Sequence, residues 1–249
     1  MKILAIGNSF SNDATAYLYG MADAAGLEAK IVNLYIGGCP LSKHAFNAVG
    51  RERDYELLYN GFATGFKVSI LDALKNDEWD VITVQQASPR SFDYGTYQPF
   101  LTTLRDFIRT YAPKPEIVVH QTWAYEDGSE RLPLMGFAGH AEMFAAVQDA
   151  YAQAAAFLGA RTIPSGDAIR RAAEQGFIRM HRDGYHLSFG AGRYTAACVW
   201  LETLFGADPR ENPFDRTAEP LDAATRARLA ACAHEAVLAQ KEKEKNVCV

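Results

Sequence analysis

Lys2-Ile3-Leu4-Ala5-Ile6-Gly7-Asn8-Ser9-Phe10-Ser11 is the stretch on which the fold turns. Lys2–Ile6 is a short, almost wholly apolar run, the pattern of a strand covered on both faces rather than on one. It stops at a Gly-Asn-Ser turn, and helical period takes over near Asp13–Ala25. A buried strand that turns into a helix is the opening of a βαβ unit.

The same alternation repeats along the chain. Further strands are expected at Ala29–Tyr35, Val81–Gln85, Glu116–His120 and Ala160–Ile163. Helices are expected near Val68–Asn76, Tyr97–Tyr111, Ala138–Leu158, Pro164–Glu174 and Ser188–Phe205, while Gly37–Gly65 and Ala87–Gly95 read as less regular. Five strands with interleaved helices predict an α/β protein of three α/β/α layers around a doubly wound, parallel five-stranded sheet. Leu221–Lys245 reads as one more amphipathic helix that frays into Lys-Glu-Lys-Glu-Lys, a solvated tail. With no internal repeat, linker or shift in composition, residues 1–249 are expected to form a single domain, closed by a helix and charged tail over 219–249.

Composition narrows the function classes. The chain has 249 residues, 49% hydrophobic and 22% charged, with 25 Lys and Arg against 30 Asp and Glu for a net charge of −5. These are globular proportions, and the length is enough for a core without disulfides or a structural metal. Nucleic acid is not expected as a partner, because phosphate binding needs a basic face and Arg51–Arg53 and Arg170–Arg171 are short clusters. Cys39, Cys198, Cys232 and Cys248 are far apart without Cys-x-x-Cys spacing and read as reduced thiols. No stretch reaches the roughly 18 apolar residues of a membrane span, and the start of the chain lacks the apolar region of about 7–15 residues that a signal peptide needs. The reading expects a cytoplasmic protein without a membrane partner.

In an open parallel sheet, ligands bind outside the carboxyl ends of the strands. The places to search are therefore Gly7–Ser11, Gly37–Leu41, Gln85–Arg90, His120–Glu126 and the turn before the helix at Ser188. Ser9 would be presented at the turn from strand to helix, beside backbone N–H groups able to stabilise an oxyanion. Taken alone, Gly-Asn-Ser is also a common turn, and the same geometry would cradle a phosphate. In Arg182-Asp183-Gly184-Tyr185-His186-Leu187-Ser188, the carboxylate and imidazole are three apart across a glycine. That spacing lets Asp183 fix one ring nitrogen of His186 while the other faces the crevice, the orienter and base of a nucleophilic triad. A plain surface turn would read the same way.

Taken in order, these blocks resemble the SGNH/GDSL hydrolases, most closely a bacterial branch similar to carbohydrate esterases. Gly7-Asn8-Ser9-Phe10-Ser11 matches the family's first block, with Asn8 where many members have Asp. Gly37-Gly38-Cys39-Pro40-Leu41 matches the second block and Asp183-Gly184-Tyr185-His186 the fourth; the likeness spans roughly residues 1–206. The resemblance implies a flavodoxin-like sheet, Ser9 as nucleophile, His186 as general base and then acid, Asp183 as its orienter, and an oxyanion hole from Ser9 N–H, Gly38 N–H and a third donor. The third block departs from the pattern. Val84-Gln85-Gln86-Ala87-Ser88 stands where the family has Gly-x-Asn-Asp, so a glutamine must supply the third amide, Gln86 in preference to Gln85 because it lies nearer the strand's end.

His181 lacks a carboxylate three residues on and is the weaker base, and His44, His140 and His234 read as packing or surface residues. No His-x-x-x-His pair suggests a metal, and no cofactor is implied. Aromatic residues in the crevice loops, Trp123 above all and Tyr94, are candidate walls for a sugar ring. The expected activity is hydrolysis of a carboxylic ester through an acyl-enzyme, with an O-acetyl or other short acyl group on a carbohydrate, since no long apolar lid is visible. Two rivals stay open: a catalytically weak or inactive carbohydrate-binding module on the same fold, and a nucleotide- or flavin-binding doubly wound protein. The second lacks the Gly-x-Gly-x-x-Gly spacing that such proteins use.

Overall fold

The structure, a computed structural model, describes residues 1–176 and 179–247, with the side chain of Val247 left aside. The parallel strands are β1 (Lys2–Gly7), β2 (Lys30–Tyr35), β5 (Val81–Val84), β6 (Glu116–Gln121) and β7 (Thr162–Pro164); an antiparallel hairpin, β3 (Tyr55–Tyr59) and β4 (Phe62–Val68), lies between β2 and β5 in the chain. The helices are α1 (Ser9–Thr15), α2 (Leu18–Ala24), α3 (Leu41–Gly50), α4 (Ile70–Asn76), α5 (Phe100–Tyr111), α6 (Arg131–Leu134), α7 (His140–Leu158), α8 (Ser165–Glu174), α9 (Ala191–Phe205) and α10 (Ala223–Val247).

All seven strands join one sheet in the order β4-β3-β2-β1-β5-β6-β7. Its parallel part is the expected doubly wound sheet. From β1 the chain crosses leftward to β2 and later returns to β5 on the right. Right-handed crossovers in opposite directions put helices on both faces: α1, α2, α8, α9 and α10 pack together on one, and α3, α4 and α5 on the other, where α7 covers β6. The strand interiors explain their continuous apolar sequences, since Ile3, Leu4, Ile6, Ile82, Val118 and Ile163 are all buried. The same winding opens a crevice at the carboxyl ends of β1 and β5, where the direction of winding reverses.

Three expectations change. The sheet has seven strands rather than five, because the segment taken as irregular folds into α3 and the β3–β4 hairpin. Its two-residue turn is Asn60-Gly61, with φ of 51° and 90°, the left-handed pair that a tight hairpin needs. β4 has no clean alternation because nearly every residue along it faces solvent. The helix expected from Asp13 begins earlier, at Ser9, and breaks at Ala16–Tyr17 into α1 and α2. The charged tail is helical to Val247 instead of fraying, and Glu244 Oε1 accepts from the N–H of Thr162 at 2.9 Å, so part of it closes the free edge of β7. Cys39, Cys198 and Cys232 are buried free thiols, and Cys248 lies outside the described residues.

Candidate active site

Asn8 makes the site possible. Its backbone is extended, with φ −141° and ψ −153°, and its side-chain oxygen caps α1 by accepting from the N–H of Phe10 at 3.0 Å. The cap leaves Ser9 as the first helical residue, and its N–H meets no acceptor among the described residues. A helix start offers such N–H groups, and its partial positive charge, to an anion.

His186 arrives from the far end of the chain. His186 Nε2 lies 2.9 Å from Ser9 Oγ, and His186 Nδ1 lies 2.7 Å from Asp183 Oδ2. The other carboxylate oxygen of Asp183 accepts from the backbone N–H of His186 at 2.8 Å and of Tyr185 at 3.3 Å. Burial pulls the Asp183 carboxyl upward, but the hydrogen bonds from the His186 ring and backbone outweigh it and hold the group below its usual value. An ionised Asp183 that accepts from Nδ1–H leaves Nε2 as the bare nitrogen, facing the serine. Gly184, at φ 83°, sits in the left-handed region that lets the loop turn tightly enough for Asp183 to reach its own neighbour's ring.

The loop is held from beneath by a residue the sequence reading used only as a helix start. Asp13, one turn beyond Ser9 on α1, is fully buried. It accepts from Arg182 at 3.0 Å, from Arg193 Nε at 2.9 Å and from the N–H of Leu187 at 3.0 Å, and Arg182 also donates to the carbonyl of Leu187. Two guanidinium groups on one buried carboxylate lock the loop carrying Asp183 and His186 to the helix carrying Ser9. The Ser-x-x-x-Asp spacing on one helix face was the available signal.

The expected oxyanion donors are more mixed. Gly38, at φ 62°, is exposed after β2, and its N–H donates to no other group among the described residues. Asn8 Nδ2 ties this loop to Ser9 by donating to the carbonyl of Cys39 at 3.1 Å. Gln86 does not face the crevice as expected. It is fully buried, its Oε1 accepts from the N–H groups of Leu41 and Ala87 at 2.9 Å, and its amide nitrogen donates to the backbone and hydroxyl oxygens of Thr96. Buried loop N–H groups need an acceptor, and that demand takes the amide away from the site. Gln85 is the glutamine at the site, donating to Asn8 Oδ1 at 2.9 Å.

Trp123 is not a substrate wall. It is fully buried, stacks on Phe10 at 4.3 Å between ring centroids, and donates from its indole N–H to the carbonyl of Tyr185 at 2.8 Å, which makes it a strut under the triad loop. Tyr94 is half-buried against Tyr97 on the loop after β5. The ring beside the triad is instead Tyr185, 3.9 Å from the His186 ring and capped by the Arg131 guanidinium at 4.1 Å. His181 is buried, which lowers it to about 4, and has no place in the triad.

A family model described as "Domain of unknown function (DUF4886)" matches residues 2–236. Among solved structures, a DUF4886 family protein from Bacteroides uniformis superposes with a TM-score of 0.90 at 37% identity, over 96% of this chain and 95% of that one. A chain from Slackia heliotrinireducens, described as a candidate SGNH hydrolase, gives 0.61 at 27% identity over 82% of this chain and 98% of its own. Axe2, an acetylxylan esterase from Geobacillus stearothermophilus, shares the fold at 0.52 and 16% identity, over 81% of this chain and 92% of that one. No curated protein matches the chain.

Proposed function

Because the chain belongs to the DUF4886 family, whose description names no activity, its function has to be read from its own site, and we propose that it is a serine hydrolase of carboxylic esters. The observation that carries this reading is the series Ser9 Oγ, His186 Nε2, His186 Nδ1, Asp183 Oδ2, with both gaps at hydrogen-bond length. His186 takes the Ser9 proton as the oxygen attacks the ester carbonyl, and the imidazolium formed is stabilised by Asp183. The oxyanion of the tetrahedral intermediate is received by Ser9 N–H and Gly38 N–H. His186 then protonates the departing alcohol. Water repeats the sequence on the acyl-enzyme, so the serine returns unchanged and the acid leaves.

The loops that hydrogen-bond Asn8 and Ser9, at 37–40 and 183–189, carry no long apolar segment, which favours a short acyl group such as acetyl. The faces of Tyr185 are taken by the His186 ring and Arg131, so its edge and the exposed Arg131 guanidinium together offer an apolar and hydrogen-bonding border for a hydroxyl-rich leaving group, and an O-acylated carbohydrate is the substrate class we favour. The test is turnover of p-nitrophenyl acetate and labelling by a fluorophosphonate: the wild type should do both and Ser9→Ala neither. Wild-type turnover by Ser9→Ala would remove Ser9 from the mechanism.

A second reading, a catalytically weak carbohydrate-binding module, draws on one observation, namely that both glutamine amides are engaged within the protein. An unreactive Ser9 in a folded wild type that binds acetylated glycans would favour it.

A further inference from the structure

The polar side chains at the carboxyl ends of the parallel strands form one unbroken series of hydrogen bonds beneath Ser9. Ser165, just after β7, lies 3.0 Å from His120 Nε2. His120 Nδ1, on β6, lies 2.6 Å from Gln85 Oε1. Gln85 Nε2, just after β5, donates to Asn8 Oδ1 at 2.9 Å, and Asn8 Nδ2, just after β1, donates to the carbonyl of Cys39 in the loop after β2 at 3.1 Å. Every side chain in the series is buried.

The direction of every link follows from its ends. A carbonyl only accepts, so Asn8 must turn its amide nitrogen to Cys39 and its oxygen to Phe10 N–H and Gln85. Gln85 therefore meets His120 with its oxygen, which requires a proton on Nδ1. A neutral imidazole carries one N–H, so Nε2 is bare and accepts from the Ser165 hydroxyl. Burial depresses the His120 pKa to about 3, which keeps the ring in that neutral form. All the donors point the same way, toward the loop that carries Gly38, and aligned links of this kind strengthen one another.

We propose that His120 and Gln85 are positioning residues which, acting through Asn8, hold the Gly38 loop and the start of α1 in the register an oxyanion needs. The third-block glutamine thus does its work at one remove, through the helix cap, instead of touching the oxyanion. Asn8 joins both N–H sources, since it caps the helix at Ser9 and anchors the loop next to Gly38. The proposal rests on the reading of Ser9 as an ester nucleophile.

Two measurements test it. Imidazole 15N spectra of the wild type, with the His120 signal assigned by its loss in His120→Gln, should show Nδ1–H and a bare Nε2 that does not titrate between about pH 5 and 8. An Nε2–H tautomer overturns the proposal. Gln85→Met is close in size but can neither donate to Asn8 nor accept from His120; its kcat on p-nitrophenyl acetate should fall roughly 10²-fold, with KM within about twofold, because a displaced oxyanion donor is felt in the transition state. His120→Leu should lose a similar factor, and His120→Gln, whose amide offers one donor and one acceptor, should recover most of it. Folded Gln85→Met with wild-type kcat, or loss expressed wholly in KM, overturns the proposal. Wild-type protein with the stated tautomer and no esterase activity would sink the ester-hydrolase reading instead, so the two failures are told apart.

Discussion

Arg182 Nη1 grips both oxygens of the Asp13 carboxylate at 3.0 Å, one helical turn beyond Ser9. Arg193 completes the clamp from the opposite side of the loop, at the start of α9. The helix that carries Ser9 thus also holds the loop that carries His186, across 177 residues of sequence between the two. The distance between Ser9 Oγ and His186 Nε2 is set by this ionic joint together with the Trp123 strut under Tyr185.

Removing the carboxylate should be costly, because it strands two guanidinium groups that keep only about a fifth of their surface in water. Asp13→Ala is expected to lose about 3–5 kcal/mol of unfolding free energy. Asp13→Asn, which keeps an acceptor for the N–H of Leu187, should lose less. Urea denaturation followed by circular dichroism gives both values, and a cost for Asp13→Ala below about 1 kcal/mol would show that the joint is slack.

Asp183→Asn should preserve the loop and damage the chemistry. The substituted amide cannot stabilise an imidazolium, and it offers His186 Nδ1 no charge, so kcat on p-nitrophenyl acetate is expected to fall about 10³–10⁴-fold. Because the Asp183 carboxyl lies below its ordinary value of 3.8, it remains ionised throughout mildly acid conditions. Thermal melts of Asp183→Asn and the wild type, both taken at pH 7, should agree within a few degrees while turnover differs; a larger gap between the melts would assign Asp183 a structural part.

Three buried histidines make the fold sensitive to acid. Burial lowers His44 and His120 to about 3 and His181 to about 4, against 6.5 for an unfolded histidine. Between those values the unfolded chain binds protons that the native protein does not, so stability is complete above about pH 6.5 and drains away as the pH drops toward 3–4. Each histidine contributes a slope of up to about 1.4 kcal/mol per pH unit in that window. Urea midpoints taken at pH 8, 6.5 and 5 should be level over the first step and fall over the second. His120→Gln should reduce the second step, and an unchanged midpoint at pH 5 would contradict the burial of these rings.

Gly7 has no room for a side chain. A Cβ there would lie 2.3 Å from Ser11 Oγ and 3.2 Å from Gln85 Cδ. Ser11 is itself held by the carbonyl of Asn8 and by Asn33, so it cannot simply swing aside. Gly7→Ala is expected to cost about 1–3 kcal/mol of stability and to lower kcat by displacing Gln85. Full activity in this variant would mean that the end of β1 tolerates a shift the hydrogen-bond geometry forbids.

The five parallel strands were legible because burial on both faces makes each a short apolar run bounded by turns, whereas the similar run Ala196–Leu201 in α9 sits within a longer helical stretch. The hydrogen-bonded series of Ser9, His186 and Asp183 was expected only once the blocks were taken in order, because the Gly-Asn-Ser turn and Asp-x-x-His each also read as a plain turn. What stayed hidden depends on partners distant along the chain. Gln86 looks free until Leu41 and Thr96 are brought to it, and Trp123 looks like an exposed loop aromatic until Phe10 and Tyr185 close over it. His120 was visible only as the residue at a strand's end, since its role needs Gln85 on the next strand and Ser165 on the one beyond. The Asn60-Gly61 hairpin was the one missed element with a readable local signal, masked by the solvent-facing residues of β4.

The separation of 177 residues between Ser9 and His186 also has a meaning in time. At ribosomal speeds of 5–20 residues per second, the serine is made roughly 9–35 s before its base. Through that interval the growing chain carries a hydroxyl with no imidazole to activate it and no Arg182 or Arg193 to hold Asp13. On the proposed reading the nascent protein is chemically mute, and its base arrives only after the whole sheet has been made, since β7 ends at Pro164 and α9 and α10 alone remain to be laid down.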